Sequence, residues 1–427
     1  MGQGVLTAGI IRVGGTLRCD GVPLDAIAAA AGTPCYVYSA GLVREQYARL
    51  AGALRDVPHR LHYSVKANSN LTLLALLREL GAGVDIVSGG ELYRALLAGF
   101  TGADVVFSGV GKTVAELEEG LNAGIKLFNV ESEGELRALD ALAAARGLRA
   151  PVALRVNPEV TVDTPHPYTR TGEKGMKFGI PYDEIRALAR VSRDLGGIAL
   201  VGLDMHIGSQ VSSLGPYQLG LSRLLELIET LRGDGDGDLR YLDIGGGLAV
   251  TYQDEIESDL AGFGEMVAPL VKSTGMELLM EPGRFLVGNA GVLVTRVLYR
   301  KRSGGKEFVI TDAGMNDLLR PSHYQAYHRV ESVHESARRA VFDVVGPVCE
   351  SGDFLALDRE MDDVSPGDLL AVQSAGAYGF DMASNYNSRP RPAEVLVDGD
   401  RWRVVTERER YEDLVRQEGH PSEWRTG

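Results

Sequence analysis

The chain has 427 residues, 44% of them hydrophobic and 24% charged, and a formal net charge of −14 at pH 7. That length holds two domains, one of which can be a barrel of ordinary size, and the composition is that of a globular protein. The negative charge repels phosphate backbones and anionic bilayers, which excludes nucleic acid and membrane surfaces as general partners.

Residues 1–10 lack both the basic start and the apolar run of a secretory signal, and no stretch of about eighteen uninterrupted apolar residues follows, so a cytoplasmic location is expected. The three cysteines, Cys19, Cys35 and Cys349, are odd in number and without metal-type spacing. Neither a disulfide framework nor a metal site is expected from them.

Taken in chain order, residues 10–17 and 36–39 are strand-like and precede a long alternating region, so this N-terminal segment is expected to pair into a later sheet. Short apolar or β-branched runs then recur at 61–67, 83–87, 104–108, 125–129, 152–157, 200–206, 241–245 and 277–281. Between them lie segments of helical spacing, among them 71–80, 91–98, 114–123, 133–145 and 217–232. Eight strands alternating with helices predict a closed parallel barrel, whose functional residues belong where strands end. The segment 158–181, rich in Pro, Thr and Gly and carrying His166, Lys174 and Lys177, is long for a strand-to-helix connection and reads as a lid. The alternating Gly and Asp of 233–238 read as a solvated turn, not a metal site. After residue 290 the runs 292–299, 308–312, 339–345, 368–372, 393–397 and 402–406 are strand-like and helices are scarce. The expected fold is therefore α/β: a TIM-like (β/α)8 barrel plus a C-terminal mostly-β domain joined by the N-terminal segment. The expected bounds are 1–40, 41–287 and 288–427.

Four motifs fall at predicted strand ends. In His62-Tyr63-Ser64-Val65-Lys66-Ala67-Asn68 a lysine closes an apolar strand before a polar turn. Desolvation there is expected to lower its pKa, and a neutral amine attacks an aldehyde to make a Schiff base. A lone lysine in such a place more often snorkels to the rim. In Leu242-Asp243-Ile244-Gly245-Gly246-Gly247-Leu248, three glycines after strand seven let backbone N–H groups approach a phosphate, with a following helix end adding a favourable dipole. Glu281-Pro282-Gly283-Arg284 after strand eight offers a carboxylate suited to a protonated pyridine nitrogen and a guanidinium suited to an anion, although a rim salt bridge is the plainer reading. His206-Ile207-Gly208-Ser209-Gln210 offers an imidazole that can stack on a ring and a hydroxyl that can bind phosphate. Together the motifs converge on a phosphorylated aldehyde cofactor.

The segments YSVKANSN, DIVSGGELYRAL, HIGSQ, LDIGGGL, EPGR, DAGMNDLLRPSHY, GPVCESGDFL and GAYGFDMASNYNSRPRPAEVL closely resemble the diaminopimelate decarboxylases, of the alanine-racemase-like, fold-type-III group of pyridoxal-phosphate enzymes. The resemblance runs from about Thr33 to Val405. It implies that Lys66 bears pyridoxal 5'-phosphate, His206 stacks on its ring and Glu281 faces its nitrogen. Ser209, Gly245, Gly246, Gly247 and the backbone of Pro282, Gly283 and Arg284 would bind its phosphate, and Asp85 would belong to the same site. It further implies that Cys349 reprotonates the carbanion, Glu350 pairs with a substrate ammonium, Arg284, Arg320 and Tyr324 hold substrate carboxylate, and Tyr378 touches both substrate and cofactor. In that family Cys349 and Glu350 would come from the neighbouring subunit of a homodimer. Asp204-Met205 and Met176 depart from the family's pattern and are expected to touch packing or the lid.

The implied reaction is decarboxylation of meso-2,6-diaminopimelate at its D-centre to L-lysine, the last step of lysine biosynthesis. The alternatives are a relative acting on carboxynorspermidine, arginine or ornithine, or a non-catalytic cofactor-binding regulator. The regulator reading sits poorly with the presence of Lys66, Cys349, Glu350 and Tyr378.

Overall fold

The computed structural model describes residues 9–418 apart from 163, 165, 167, 169, 170, 237 and 256. The leading residues 1–8, expected to carry no secretory signal, lie outside that set. The described chain divides into two compact units, one comprising 40–290 and 376–381, the other 9–39, 291–375 and 382–418.

The first unit is built on eight strands, β1 His59–Ser64, β2 Gly83–Ile86, β3 Val105–Phe107, β4 Leu127–Val130, β5 Ala150–Asn157, β6 Ile198–Met205, β7 Tyr241–Asp243 and β8 Glu277–Met280. Each pairs in parallel with the next, and β8 pairs with β1, so the barrel closes. The strands are almost continuously buried because both faces are covered, the inner by barrel side chains and the outer by helices. Val106, Leu127, Ala153, Val201 and Leu279 form one buried cluster among them. The intervening helices start on polar caps: the side chains of Asn70, Ser88 and Ser132 accept from backbone N–H groups of the first turn, and Thr113 forms a capping box with Glu116.

Ala40–Ala53 and two further helices of this unit were not among the segments of helical spacing picked out above. Ile185–Asp194 follows the irregular 158–181 segment and is rich in charge. Leu260–Thr274 contains Pro269, Gly262 and Gly264, residues that ordinarily weaken a helix. Gly264 is needed there: a Cβ on it would meet the backbone oxygen of Ala53 at 2.1 Å, so it lets this helix approach the C-terminal end of Ala40–Ala53.

The second unit holds a sheet whose strand order is Phe354–Asp362, Arg339–Val345, Lys306–Thr311, Gly291–Ser303, Cys35–Ser39, Ala393–Asp398, Arg401–Thr406, with Leu369–Val372 and Val330–Ser332 off this path. Cys35–Ser39 is wholly buried and central, antiparallel to Gly291–Ser303 and parallel to Ala393–Asp398. The predicted strand 10–17 is instead a hairpin, Ile10–Val13 against Thr16–Cys19, turned at Gly14 and Gly15, both with positive φ; with Val22–Pro23 it makes a separate three-stranded sheet. Phe354–Asp362 was missed because its charged side chains mask the strand alternation.

All three cysteines are free; Cys19 and Cys35 are buried in the second unit's core, whereas Cys349 is exposed. In the 233–238 turn, of which residue 237 lies outside the described set, Asp234 accepts bidentately from Arg186 at 2.6 and 2.7 Å. No described helix is long and apolar enough to cross a membrane.

His62 illustrates the price of an imidazole inside β1. It is fully buried, and burial, followed by the charges of Arg60 and Lys126, lowers its pKa from 6.5 to about 3. The unfolded chain therefore takes up a proton below pH 6.5 that the folded chain refuses until about pH 3. The contribution of His62 to stability is intact above pH 6.5 and is lost by about 1.4 kcal/mol per unit as pH falls through that window. Replacing His62 by Leu is expected to flatten the pH dependence of the urea midpoint between pH 7 and pH 4.5; an unchanged slope would contradict this.

Candidate active site

The candidate site is assembled from loops that leave the C-terminal ends of the barrel strands. β1 ends at Ser64, so Lys66 sits in the single 3-10 turn Val65–Ala67 beyond the strand and does not close it. This turn places Lys66 Nζ 3.2 Å from Asp85 Oδ2 at the end of β2. Ser64 Oγ donates to the same carboxylate oxygen at 2.8 Å. The expected fall in the lysine pKa does not occur: burial works to lower it, but the charges of Asp85 and then Glu281 more than reverse this, and the net direction is upward. The resting side chain is an ammonium ion paired with Asp85.

Glu281 follows β8. Ser108 Oγ, after β3, and Asn129 Nδ2, on β4, both donate to its Oε1, at 2.9 and 3.1 Å; Oε2 receives neither bond. Asn129 Nδ2 also lies 3.4 Å from Asp243 Oδ2 on β7. The carboxylate oxygens of Asp204, Asp243 and Glu281 fall within 4.8 Å of one another, all three residues being buried. Arg155, on β5, supplies positive charge at 3.7 Å from Asp204 and 2.7 Å from Glu131. Burial first and neighbouring carboxylates second raise the pKa of Glu281, Asp243 and Asp204, with Arg155 opposing at Glu281 and Asp204.

His206, one residue past β6, is held neutral: burial, then the charges of Arg155 and Lys66, pushes its pKa well below 6.5. The glycine turn after β7 is shaped by close backbone approaches. Gly245 and Gly247 have φ of +65 and +103, and a Cβ on Gly246 would meet the Glu281 carbonyl oxygen at 2.2 Å. Tyr217 Oη donates to the Gly246 carbonyl at 2.8 Å, and Glu281 N to that of Gly245 at 2.8 Å. No helix follows this turn directly; the next begins at Leu260, so the dipole expected from the sequence is missing there.

Arg284 is buried, donating to Tyr252 Oη at 2.6 Å and Ser209 Oγ at 3.0 Å, with its guanidinium 4.9 Å from the centre of the Tyr378 ring. Tyr378, with a positive φ of 56, is fixed by its N–H to the Ala67 carbonyl at 2.7 Å. Pro282 and Gly283 bring the two motifs together, since Ser64 N donates to the Pro282 carbonyl at 3.1 Å. Lys66, His206, Ser209, Gly247, Glu281, Arg284 and Tyr378 all line one cavity of about 40 Å3. The groups that line it decide whether a ring bearing a phosphate can be held there. The donor set fits such a group: an anion-seeking guanidinium and hydroxyl beside a glycine turn, a neutral imidazole, an amine and a carboxyl clamped on one oxygen.

The second unit carries the remaining expected residues. Arg320 opens the short helix Arg320–Tyr324, with its guanidinium 5.9 Å from the Tyr324 ring centre. Cys349 is exposed, its backbone N–H donating to Asn387 Oδ1 at 3.0 Å, and Glu350 Oε2 accepts from Tyr386 Oη at 3.0 Å.

Sequence reasoning overlooked Ser108, Asn129, Arg155 and Tyr252, although applying the strand-end rule evenly to β3, β4 and β5 singles out the first three. Asp204 needs correction as well: it touches more than packing, because its buried carboxylate belongs to the Glu281 cluster. In the 158–181 segment Asn157 Nδ2 bonds the carbonyls of Glu173 and Phe178, and Gly179 N donates to Glu131 Oε2 at 2.9 Å; residues 163, 165, 167, 169 and 170 lie outside the described set. Gly246→Ala is expected to displace the Glu281 backbone and weaken pyridoxal-phosphate binding at least about tenfold in a fluorescence titration; unchanged affinity would contradict this role of the turn.

Residues 40–288 match the family model of the pyridoxal-dependent decarboxylase pyridoxal-binding domain. The chain is 50% identical to the diaminopimelate decarboxylase of Pseudomonas aeruginosa, over 93% of this chain and 95% of that one, and 46% identical to that of Vibrio cholerae, over 94% and 96%. Among solved structures, diaminopimelate decarboxylase from M. jannaschii superposes with a TM-score of 0.92 at 33% identity, covering 97% of this chain and 98% of that one. The Helicobacter pylori enzyme complexed with L-lysine superposes with a TM-score of 0.89 at 38% identity, covering 92% and 99%. With its closed barrel, its β-rich second unit and these matches along nearly its full length, the chain belongs to the diaminopimelate decarboxylase family of pyridoxal-dependent decarboxylases.

Proposed function

We propose that the chain decarboxylates meso-2,6-diaminopimelate to L-lysine and carbon dioxide, the last step of lysine biosynthesis, with pyridoxal 5'-phosphate carried on Lys66. The observation that carries the reading is the facing pair in one barrel mouth: Lys66 against Asp85, and Glu281 clamped through Oε1 by Ser108 and Asn129.

When bound, the cofactor supplies an electron sink for the carbon that loses carbon dioxide. The protein's groups do the rest. Lys66 rests protonated with its Nζ held 3.2 Å from Asp85 Oδ2, and it is a nucleophile once it has lost that proton. Glu281, with its raised proton affinity, would face the ring nitrogen and share a proton with it. Neutral His206 would offer an uncharged aromatic face. Ser209, the backbone of Arg284 and the Gly245 to Gly247 turn would hold the phosphate.

Substrate recognition follows from charge. meso-Diaminopimelate retains a second carboxylate beside its distal ammonium, so its site needs a cation for that carboxylate that a diamine-forming enzyme does without. Arg284, Arg320, Tyr324 and Tyr378 are assigned to carboxylate and cofactor contact, and Glu350 to the ammonium. A site built around such charges rejects analogues that leave them unpaired. Cys349, a free and exposed thiol, is assigned as the proton donor to the decarboxylated carbon. We assign Cys349 and Glu350 to the active site of the opposite subunit in a homodimer, and the reaction to the cytoplasm.

Incubating holoenzyme with meso-diaminopimelate should release L-lysine and carbon dioxide in equal amounts, at least about a hundredfold faster than product forms from ornithine, arginine or lysine; no lysine, or equal rates across that panel, would reject the assignment. Cys349→Ala is expected to keep cofactor affinity and lower kcat by about 10²- to 10⁴-fold; unchanged kcat would remove Cys349 from the chemistry.

A further inference from the structure

His328 is a buried histidine with no part in the reaction as described, and the geometry gives it a single tautomer. Its Nδ1 lies 2.9 Å from the backbone carbonyl of Gln373, which can only accept, so Nδ1 carries the hydrogen. Nε2 is then a lone pair, and it accepts from Arg320 Nε at 3.3 Å. The surrounding backbone is held as well. Gln373 directly follows the strand Leu369–Val372, which pairs with Val330–Ser332 just after His328. The His328 carbonyl accepts from Arg359 Nη1 at 2.7 Å, and that guanidinium is stacked 3.9 Å from the centre of the Tyr327 ring.

A leucine would fill this core position without burying polar nitrogens. What the imidazole adds is an acceptor at one fixed point, occupying Arg320 Nε and so leaving the Nη1–Nη2 edge as the fork open to a carboxylate. Binding Nε to the ring orients the planar guanidinium so that a carboxylate meets its Nη1–Nη2 edge.

We propose that His328 is a positioning residue for substrate specificity: through Nε2 it fixes the rotamer of Arg320 with which the enzyme recognises the carboxylate that the substrate keeps. The proposal rests on the assignment of Arg320 to that carboxylate.

Two substitutions separate the contacts. His328→Asn can still donate to the Gln373 carbonyl but does not reach Arg320, whereas His328→Gln can place its Oε1 where Nε2 stood. With holoenzyme, His328→Asn is expected to raise KM for meso-diaminopimelate by about 10- to 100-fold with kcat within about threefold, and His328→Gln to recover most of the loss. In a readout independent of turnover, perturbation of the cofactor's visible absorption, the Kd for L-lysine, which keeps the carboxylate, should weaken by the same factor, while that for cadaverine, which lacks it, should not move. Equal weakening of both ligands, a fall confined to kcat, or no change in KM would overturn the proposal. Arg320→Ala is the control: if it leaves KM unchanged, the Arg320 assignment itself fails; if it raises KM while His328→Asn does not, the role of His328 alone fails.

Discussion

Carboxyl groups buried against one another resist ionisation, and the barrel gathers Asp204, Asp243 and Glu281 within 4.8 Å with Asp85 nearby. Two cations answer them: Arg155, shared between Glu131 and Asp204, and Lys66, paired with Asp85. The balance favours the acid form of Glu281: its own burial and then the neighbouring carboxylates raise its pKa, and Lys66 and Arg155 oppose this only in part. The same balance keeps Lys66 charged. Neither group has its working character alone; each depends on the arrangement of the others around the barrel mouth.

Such an arrangement requires a scaffold with little freedom. All eight strands contribute a charged or polar group on the strand or within two residues of its end, so closure of the sheet fixes their separations. The glycines after β7 allow the backbone to pass within a Cβ's reach of Glu281, which ties the position of the carboxyl to that of the turn. The second unit works by the same economy at smaller scale, with a buried imidazole and a backbone carbonyl setting the direction of Arg320.

Much of this was legible in the sequence. Eight apolar runs separated by helix-period segments are enough to imply a closed barrel, since the period change is a physical consequence of a sheet covered on both faces. The glycine turn, the EPGR segment and Lys66 could be read as a converging set because barrels place strand ends together. What eluded the reading depends on three-dimensional proximity. Asn129 and Ser108 are ordinary polar residues until the barrel brings them to Glu281, and Asp204 looked like a packing variant until its neighbours were known. The Lys66 pKa was misjudged because sequence shows desolvation but not the carboxylates that outweigh it. The Gly14-Gly15 break in 10–17 was visible as two glycines, and its consequence, a separate hairpin, followed from their positive φ.

Lys66 is one of two lysines held among carboxyl and carbonyl oxygens near the strand ends; the other, Lys112, is fully buried and committed to Glu135 and the carbonyls of Gly109 and Asn129. Reducing the pyridoxal-phosphate-loaded protein with borohydride and locating the modified peptide by mass spectrometry distinguishes them directly. The cofactor should be found covalently on Lys66, and the Lys66→Ala protein should take no label. Label on Lys112 or any other lysine, or undiminished labelling of Lys66→Ala, would contradict the assignment of the site.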